Sequence, residues 1–172
     1  MIEKTTTERI LRRFFQNPTK QYHLRELSRE LVLSMPTIIR STDLLSKESL
    51  INKEKGKVIT TVTAQRENAT FIRLKRLYNL ETIYCSGLIE YLNEVYTHPQ
   101  AIILFGSYSR GEDIEKSDID IAIITEKKKN QKVAKFEKYC LHTIAIHEVN
   151  LSKISDEFRA NLANGIILEG SW

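Results

Sequence analysis

Ala101-Ile102-Ile103-Leu104-Phe105 is an uninterrupted apolar run that ends on Gly106-Ser107-Tyr108-Ser109-Arg110-Gly111, and a five-residue spacer leads on to Ser117-Asp118-Ile119-Asp120. An apolar run of that length reads as a buried central strand. Gly106 therefore sits at a strand's exit, where a residue without Cβ lets the backbone come close to a ligand and amides in a tight turn can point together at an anion. The Ser107 hydroxyl and the Arg110 guanidinium add donors suited to phosphate oxygens.

After the loop, Asp118-Ile119-Asp120-Ile121-Ala122-Ile123-Ile124 alternates acid with aliphatic before turning wholly apolar. Alternation along a strand places both aspartates on one face and the isoleucines between them on the other. Two carboxylates held that close repel one another unless a cation lies between them. A hard, oxygen-ligated ion such as Mg2+ answers that need, and a nucleoside triphosphate supplies further oxygens.

Gly-Ser, two residues, Arg-Gly, then Ser-Asp-Ile-Asp at this spacing resembles the nucleotidyltransferase superfamily of DNA polymerase beta, above all its minimal prokaryotic members. The resemblance implies a metal-dependent enzyme that moves NMP from a nucleoside triphosphate such as ATP to an acceptor hydroxyl. Gly106, Ser107, Arg110 and Ser117 would bind the nucleotide, and Asp118 and Asp120 would be catalytic and hold Mg2+ or Mn2+. Family acceptors include a hydroxyl on a toxin partner protein, an RNA end and small molecules. The family completes its site with a third carboxylate on a later strand. Here that strand is His142-Thr143-Ile144-Ala145-Ile146-His147-Glu148-Val149, and the aligned position holds His147, with Glu148 beside it. Both are candidate catalytic residues, but side chains alternate, so only one of them faces the site without a bulge. Imidazole suits Mn2+ or Zn2+ better than Mg2+. His142 and His147, five apart on one strand, face opposite sides and make a poor metal pair.

The net charge of +4 is unevenly spread. Residues 1–66 hold 13 Lys/Arg against 7 Asp/Glu, and residues 67–172 hold 13 against 15. A concentrated basic segment is the electrostatic footprint of a module that meets nucleic acid. Within it, Glu8 to Phe15 has helical apolar spacing and stops near Asn17-Pro18, and Leu24, Leu27 and Leu31 mark a second helix. Ser34 caps a third helix that runs from Met35 through Leu45. Two β-rich runs, Leu50 to Lys53 and Lys57 to Thr63, then flank Gly56. The segment resembles a winged helix-turn-helix, which implies DNA binding through Thr37, Arg40 and Ser41 on the third helix and Lys55 and Lys57 at the hairpin tip. Protein docking or dimerisation is the other use of such a module.

The chain is thus expected to be α+β: a winged helix-turn-helix at 1–66, a helical linker at 67–97, and a small mixed-sheet nucleotidyltransferase domain at 98–172. Phe71, Leu74, Leu77, Tyr78, Tyr84, Leu88, Leu92 and Val95 are read as packing residues of the linker, broken near Asn79 or Gly87, with a homodimer surface as a further use. Beyond the carboxylate strand, Lys127-Lys128-Lys129 is a solvated loop, helices are expected at 132–141 and 152–163, and Ile166-Ile167-Leu168 is a last strand. Cys85 and Cys140 lack metal or redox spacing and read as buried small hydrophobes. No apolar run approaches membrane-spanning length, and Met1 to Thr5 lacks the layout of a leader, so the expected setting is cytoplasmic, without a membrane partner. The alternative to an enzyme is a DNA-binding regulator whose degenerate transferase domain senses nucleotide.

Overall fold

The computed structural model describes residues 5–171. Met1 to Lys4, on which the leader reading falls, lie outside the described residues, as does Trp172. Contacts divide the chain into two compact units, residues 1–74 and 75–172.

The first unit is built from helices α1 (Thr6–Gln16), α2 (Leu24–Leu31) and α3 (Met35–Lys47) and strands β1 (Tyr22–His23), β2 (Ile51–Lys55) and β3 (Thr60–Ala64). Each helix starts where a side chain takes up free amides. Thr5 Oγ1 accepts from the Glu8 N–H at 3.2 Å, Glu26 reaches back to the His23 N–H at 3.3 Å, and Ser34 Oγ accepts from Thr37 N–H at 3.4 Å. Val32, in the left-handed region at φ 54°, ends α2 and turns the chain toward α3. β2 and β3 form an antiparallel hairpin closed by Gly56 N–H donating to the Ile59 carbonyl at 2.9 Å, and β1 pairs with the free side of β3. The two-residue β1 has no alternation to reveal it in the sequence. Ile10, Phe14, Leu27, Ile38 and Val62 fill the core, and Phe15 meets Phe71 edge-on at 5.1 Å.

Helix α4 (Ala69–Ser86) begins in the first unit and continues in the second; α5 (Leu88–Tyr96) follows after Gly87, whose φ of 77° breaks the helix. Of the two expected break points, Gly87 is the one used. The buried face of α4 runs Phe71, Lys75, Asn79, Ile83 at four-residue steps, whereas Leu77 is 62% and Tyr84 52% exposed and do not pack. Cys85 is likewise exposed, and Cys140 alone of the two cysteines is buried.

The second unit centres on a four-stranded sheet of order β6-β5-β4-β7, from β4 (Ala101–Phe105), β5 (Ile119–Ile124), β6 (Ile144–Val149) and β7 (Ile166–Gly170). β4 is antiparallel to β5 and β7, and β5 is parallel to β6. The short α6 (Gly106–Arg110) leaves β4, α7 (Ala134–Cys140) precedes β6, and α8 (Asp156–Ala163) precedes β7. Ile102, Leu104, Ile121 and Ile123 join Leu88, Leu92 and Phe136 on one face, while Ile103, Phe105, Ala122 and Ile124 pack with Leu162 and Phe158 on the other. A continuous apolar strand is what burial on both faces requires. Among the described residues no helix is long and apolar enough to cross a membrane.

Candidate functional site

The β4–β5 register pairs Phe105 with Asp120, so Gly106, the next residue, emerges beside that aspartate. Gly106 has φ 74°, and a Cβ on it would collide with Asp120 Oδ2. Glycine is needed twice over at this position, for the left-handed backbone and for the closeness of the carboxylate. From Gly106 the chain winds into one turn of helix, so the loop expected from the sequence is helical. The Ser109 hydroxyl donates to the Gly106 carbonyl at 2.8 Å and is buried, and Gly111, with φ 77°, closes the turn.

Asp118 is exposed just ahead of β5, and the Asp120 side chain is 31% exposed at its start. Asp118 stands one residue ahead of the strand and Asp120 is its second residue, the spacing that strand alternation puts on one face. His147 shares that face too, because Ala122 pairs with His147 and Asp120 with Ala145 across β5 and β6. Its Nε2 lies 3.2 Å from Asp120 Oδ1, and its ring meets Phe105 edge-on at 5.2 Å.

Glu148 points the other way, which corrects its candidacy as a catalytic residue. Its Oε1 accepts from the Tyr96 hydroxyl at 2.7 Å, the Gln131 amide at 3.0 Å and the Lys129 N–H at 2.6 Å, so it pins the lysine-rich loop instead. Burial and this carboxylate together push the Tyr96 phenol well above its ordinary value.

The remaining nucleotide candidates are placed as follows. Ser107 is half-buried at the start of α6. Arg110 is exposed, with Nε 2.7 Å from Glu112 Oε2. The Ser117 hydroxyl accepts from the Ile114 N–H at 3.0 Å, and its carbonyl bonds His142 Nδ1 at 2.8 Å, so this serine shapes the approach to Asp118.

What sequence reasoning missed lies in the spacer. Asp113 is 2% exposed, with Oδ2 2.5 Å from Lys75 Nζ, Oδ1 2.7 Å from Asn79 Nδ2, and His142 Nε2 at 3.7 Å. Asn79 Nδ2 also donates to the Tyr108 carbonyl at 2.8 Å. One carboxylate thereby ties α4 to α6 and to the loop before Asp118. The available signal was a lysine and an asparagine four apart on the line of Phe71 and Ile83, where an apolar stripe should run.

On the first unit, Arg40, Lys55 and Lys57 are exposed and Thr37 is half-buried. Ser41 departs from expectation: it is 6% exposed and takes a hydrogen bond from Thr7 Oγ1 at 3.2 Å, so it packs inside the unit rather than facing a ligand.

For a divalent cation, the donor set is two hard carboxylates beside a backbone stripped of its Cβ, and such residues fit an ion whose remaining ligands are phosphate oxygens and water. Among the described residues, no group of three or more His, Cys, Asp or Glu side chains is arranged to hold an ion by itself.

No curated protein and no solved structure matches the chain. Residues 87–171 match the family model described as Polymerase beta, Nucleotidyltransferase, a span that includes Gly106, Asp118, Asp120 and His147. The match points to nucleotidyl transfer in general. Residues 87–171 are a polymerase beta-type nucleotidyltransferase domain.

Proposed function

We propose that the chain is a metal-dependent nucleotidyltransferase that moves NMP from a nucleoside triphosphate to an acceptor hydroxyl and releases pyrophosphate. The observation that carries the reading is the Phe105–Asp120 register, which sets the Gly106-Ser107 turn against the carboxylate pair inside the matched domain. Ser107 and the first amides of the turn take phosphate oxygens, and Asp118 and Asp120 hold Mg2+ or Mn2+. When bound, the cation polarises the α-phosphate and offsets charge on the departing pyrophosphate. Phe105 and Phe158, edge to face at 5.6 Å, form an apolar floor under this part of the sheet.

The first unit serves this enzyme as a winged helix-turn-helix that binds DNA. Its excess of basic residues, with Arg40 exposed on α3 and Lys55 and Lys57 exposed at the β2–β3 tip, supports that use. A hydroxyl on a macromolecular partner such as a toxin protein is the acceptor class favoured by so small a domain, and homodimerisation is a further use of its surfaces.

A second reading has one specific observation behind it. His147 occupies the face where the family's third carboxylate would stand, which favours a DNA-binding regulator that senses nucleotide. Incubation of the full chain with α-labelled triphosphates, Mg2+ or Mn2+ and cell extract separates the two. Labelled product that disappears in Asp118→Asn and Asp120→Asn is the expected result. Saturable nucleotide binding without product, accompanied by altered DNA affinity, would establish the sensor instead.

A further inference from the structure

One oxygen of Asp120 is engaged and the other lies close against the backbone of the turn. Oδ1 lies 3.2 Å from His147 Nε2, and Oδ2 rests against Gly106, where a Cβ would strike it. The imidazole is itself held in place, 5.2 Å from Phe105 and 6.3 Å from Phe158 between ring centres. A carboxylate oxygen only accepts, so the 3.2 Å contact is met by an N–H on the imidazole Nε2.

A third carboxylate cannot reach this face easily. Glu148 is fastened on the opposite side by Tyr96, Gln131 and the Lys129 N–H. Bringing it across would need a one-residue slip of β6, which would turn Ile144 and Ile146 out of the core cluster they join. In-line displacement assisted by two ions places them about 3.5–4 Å apart, so both would draw on the same few protein oxygens. Asp120 Oδ1 already accepts an N–H, so a second ion on that oxygen would have to displace the His147 imidazole. Two carboxylates instead of three also leave one negative charge fewer to balance a second divalent ion.

We infer that the site binds one divalent cation per nucleotide, with the His147 N–H, in place of a second ion, satisfying Asp120 Oδ1. The inference rests on the nucleotidyl-transfer reading above and specifies the metal content of that same site.

The test counts Mn2+ on the full chain in the presence of α,β-methylene-ATP, which cannot be cleaved between its α and β phosphorus atoms. Equilibrium dialysis gives the stoichiometry, and electron paramagnetic resonance reports whether two ions lie close enough to couple. Wild type and His147→Asn should each bind one Mn2+ per bound nucleotide with an uncoupled spectrum. His147→Asp, which restores a carboxylate, should bind two with a coupled spectrum, and His147→Glu is the second variant if the aspartate chain fails to fold by circular dichroism. Two coupled ions on wild type would overturn the inference and leave the transferase reading standing. One ion on every folded variant would remove His147 as the cause and overturn it as well. Absence of any protein-bound nucleotide or Mn2+ would instead bring down the reading on which it rests.

Discussion

Lys75 Nζ lies 2.5 Å from Asp113 Oδ2, and the two side chains are 2% and 1% exposed. The pair joins a helix to the spacer between the Gly106 turn and the carboxylate strand. A buried pair broken on one side leaves an uncompensated charge, which costs about 3–5 kcal/mol. Lys75→Met should therefore lower the stability of the second unit by that order in urea denaturation, read through amide exchange in β5. The double variant Lys75→Met/Asp113→Leu should recover much of the loss. Equal destabilisation in the single and double variants would mean that the charges are not coupled.

Gly106→Ala sets an L-residue at φ 74° and a methyl group onto Asp120 Oδ2. The left-handed backbone alone costs about 1–2 kcal/mol. Displacement of the carboxylate should show as nucleotide-dependent Mn2+ binding weakened by about tenfold or more, since each 1.4 kcal/mol is a factor of ten. Titration of Mn2+ in the presence of nucleotide measures it, and unchanged affinity would show that Asp120 is not positioned by this glycine.

Cys140 supplies a pH dependence. Burial pushes its thiol from an ordinary 9.0 up to about 11, so the folded state favours the neutral form. A raised value in the folded state contributes stability that is intact below the ordinary value and declines as pH climbs toward the folded one. The urea midpoint of the second unit should fall between pH 9.0 and about 11, and fall less steeply in Cys140→Val. The buried Tyr108 phenol is raised in the same direction, so some slope should remain in the variant. Parallel slopes in the two proteins would contradict the assignment.

The basic unit makes a paired prediction. Arg40 is exposed and Ser41 is buried against Thr7. Arg40→Ala should weaken DNA binding and reduce the slope of log affinity against log salt by about 1, as loss of a phosphate contact does. Ser41→Ala should leave affinity unchanged while removing a hydrogen bond worth about 1 kcal/mol of stability. Fluorescence anisotropy across a salt series reads the first effect, and thermal unfolding reads the second. A Ser41→Ala chain that folds normally but loses DNA affinity would reverse the assignment.

Local features of the sequence determined the apolar strand 101–105, the acid–aliphatic alternation at 118–121, the cap at Ser34 and the opposite facing of His147 and Glu148. Each depends on the identities of residues a few positions apart and on the fixed period of strand or helix. The tertiary structure decided what pairing across long separations sets. The parallel β5–β6 register brought His147, and not Glu148, to Asp120. The packing of α4 buried Lys75 and Asn79 and left Leu77 and Tyr84 outside, against the apolar stripe read from the sequence. Asp113 became the centre of a buried network because partners 34 and 38 residues earlier in the chain fold onto it. A charged residue in a spacer looks solvated until an opposite charge is brought to it, and only the completed fold does that.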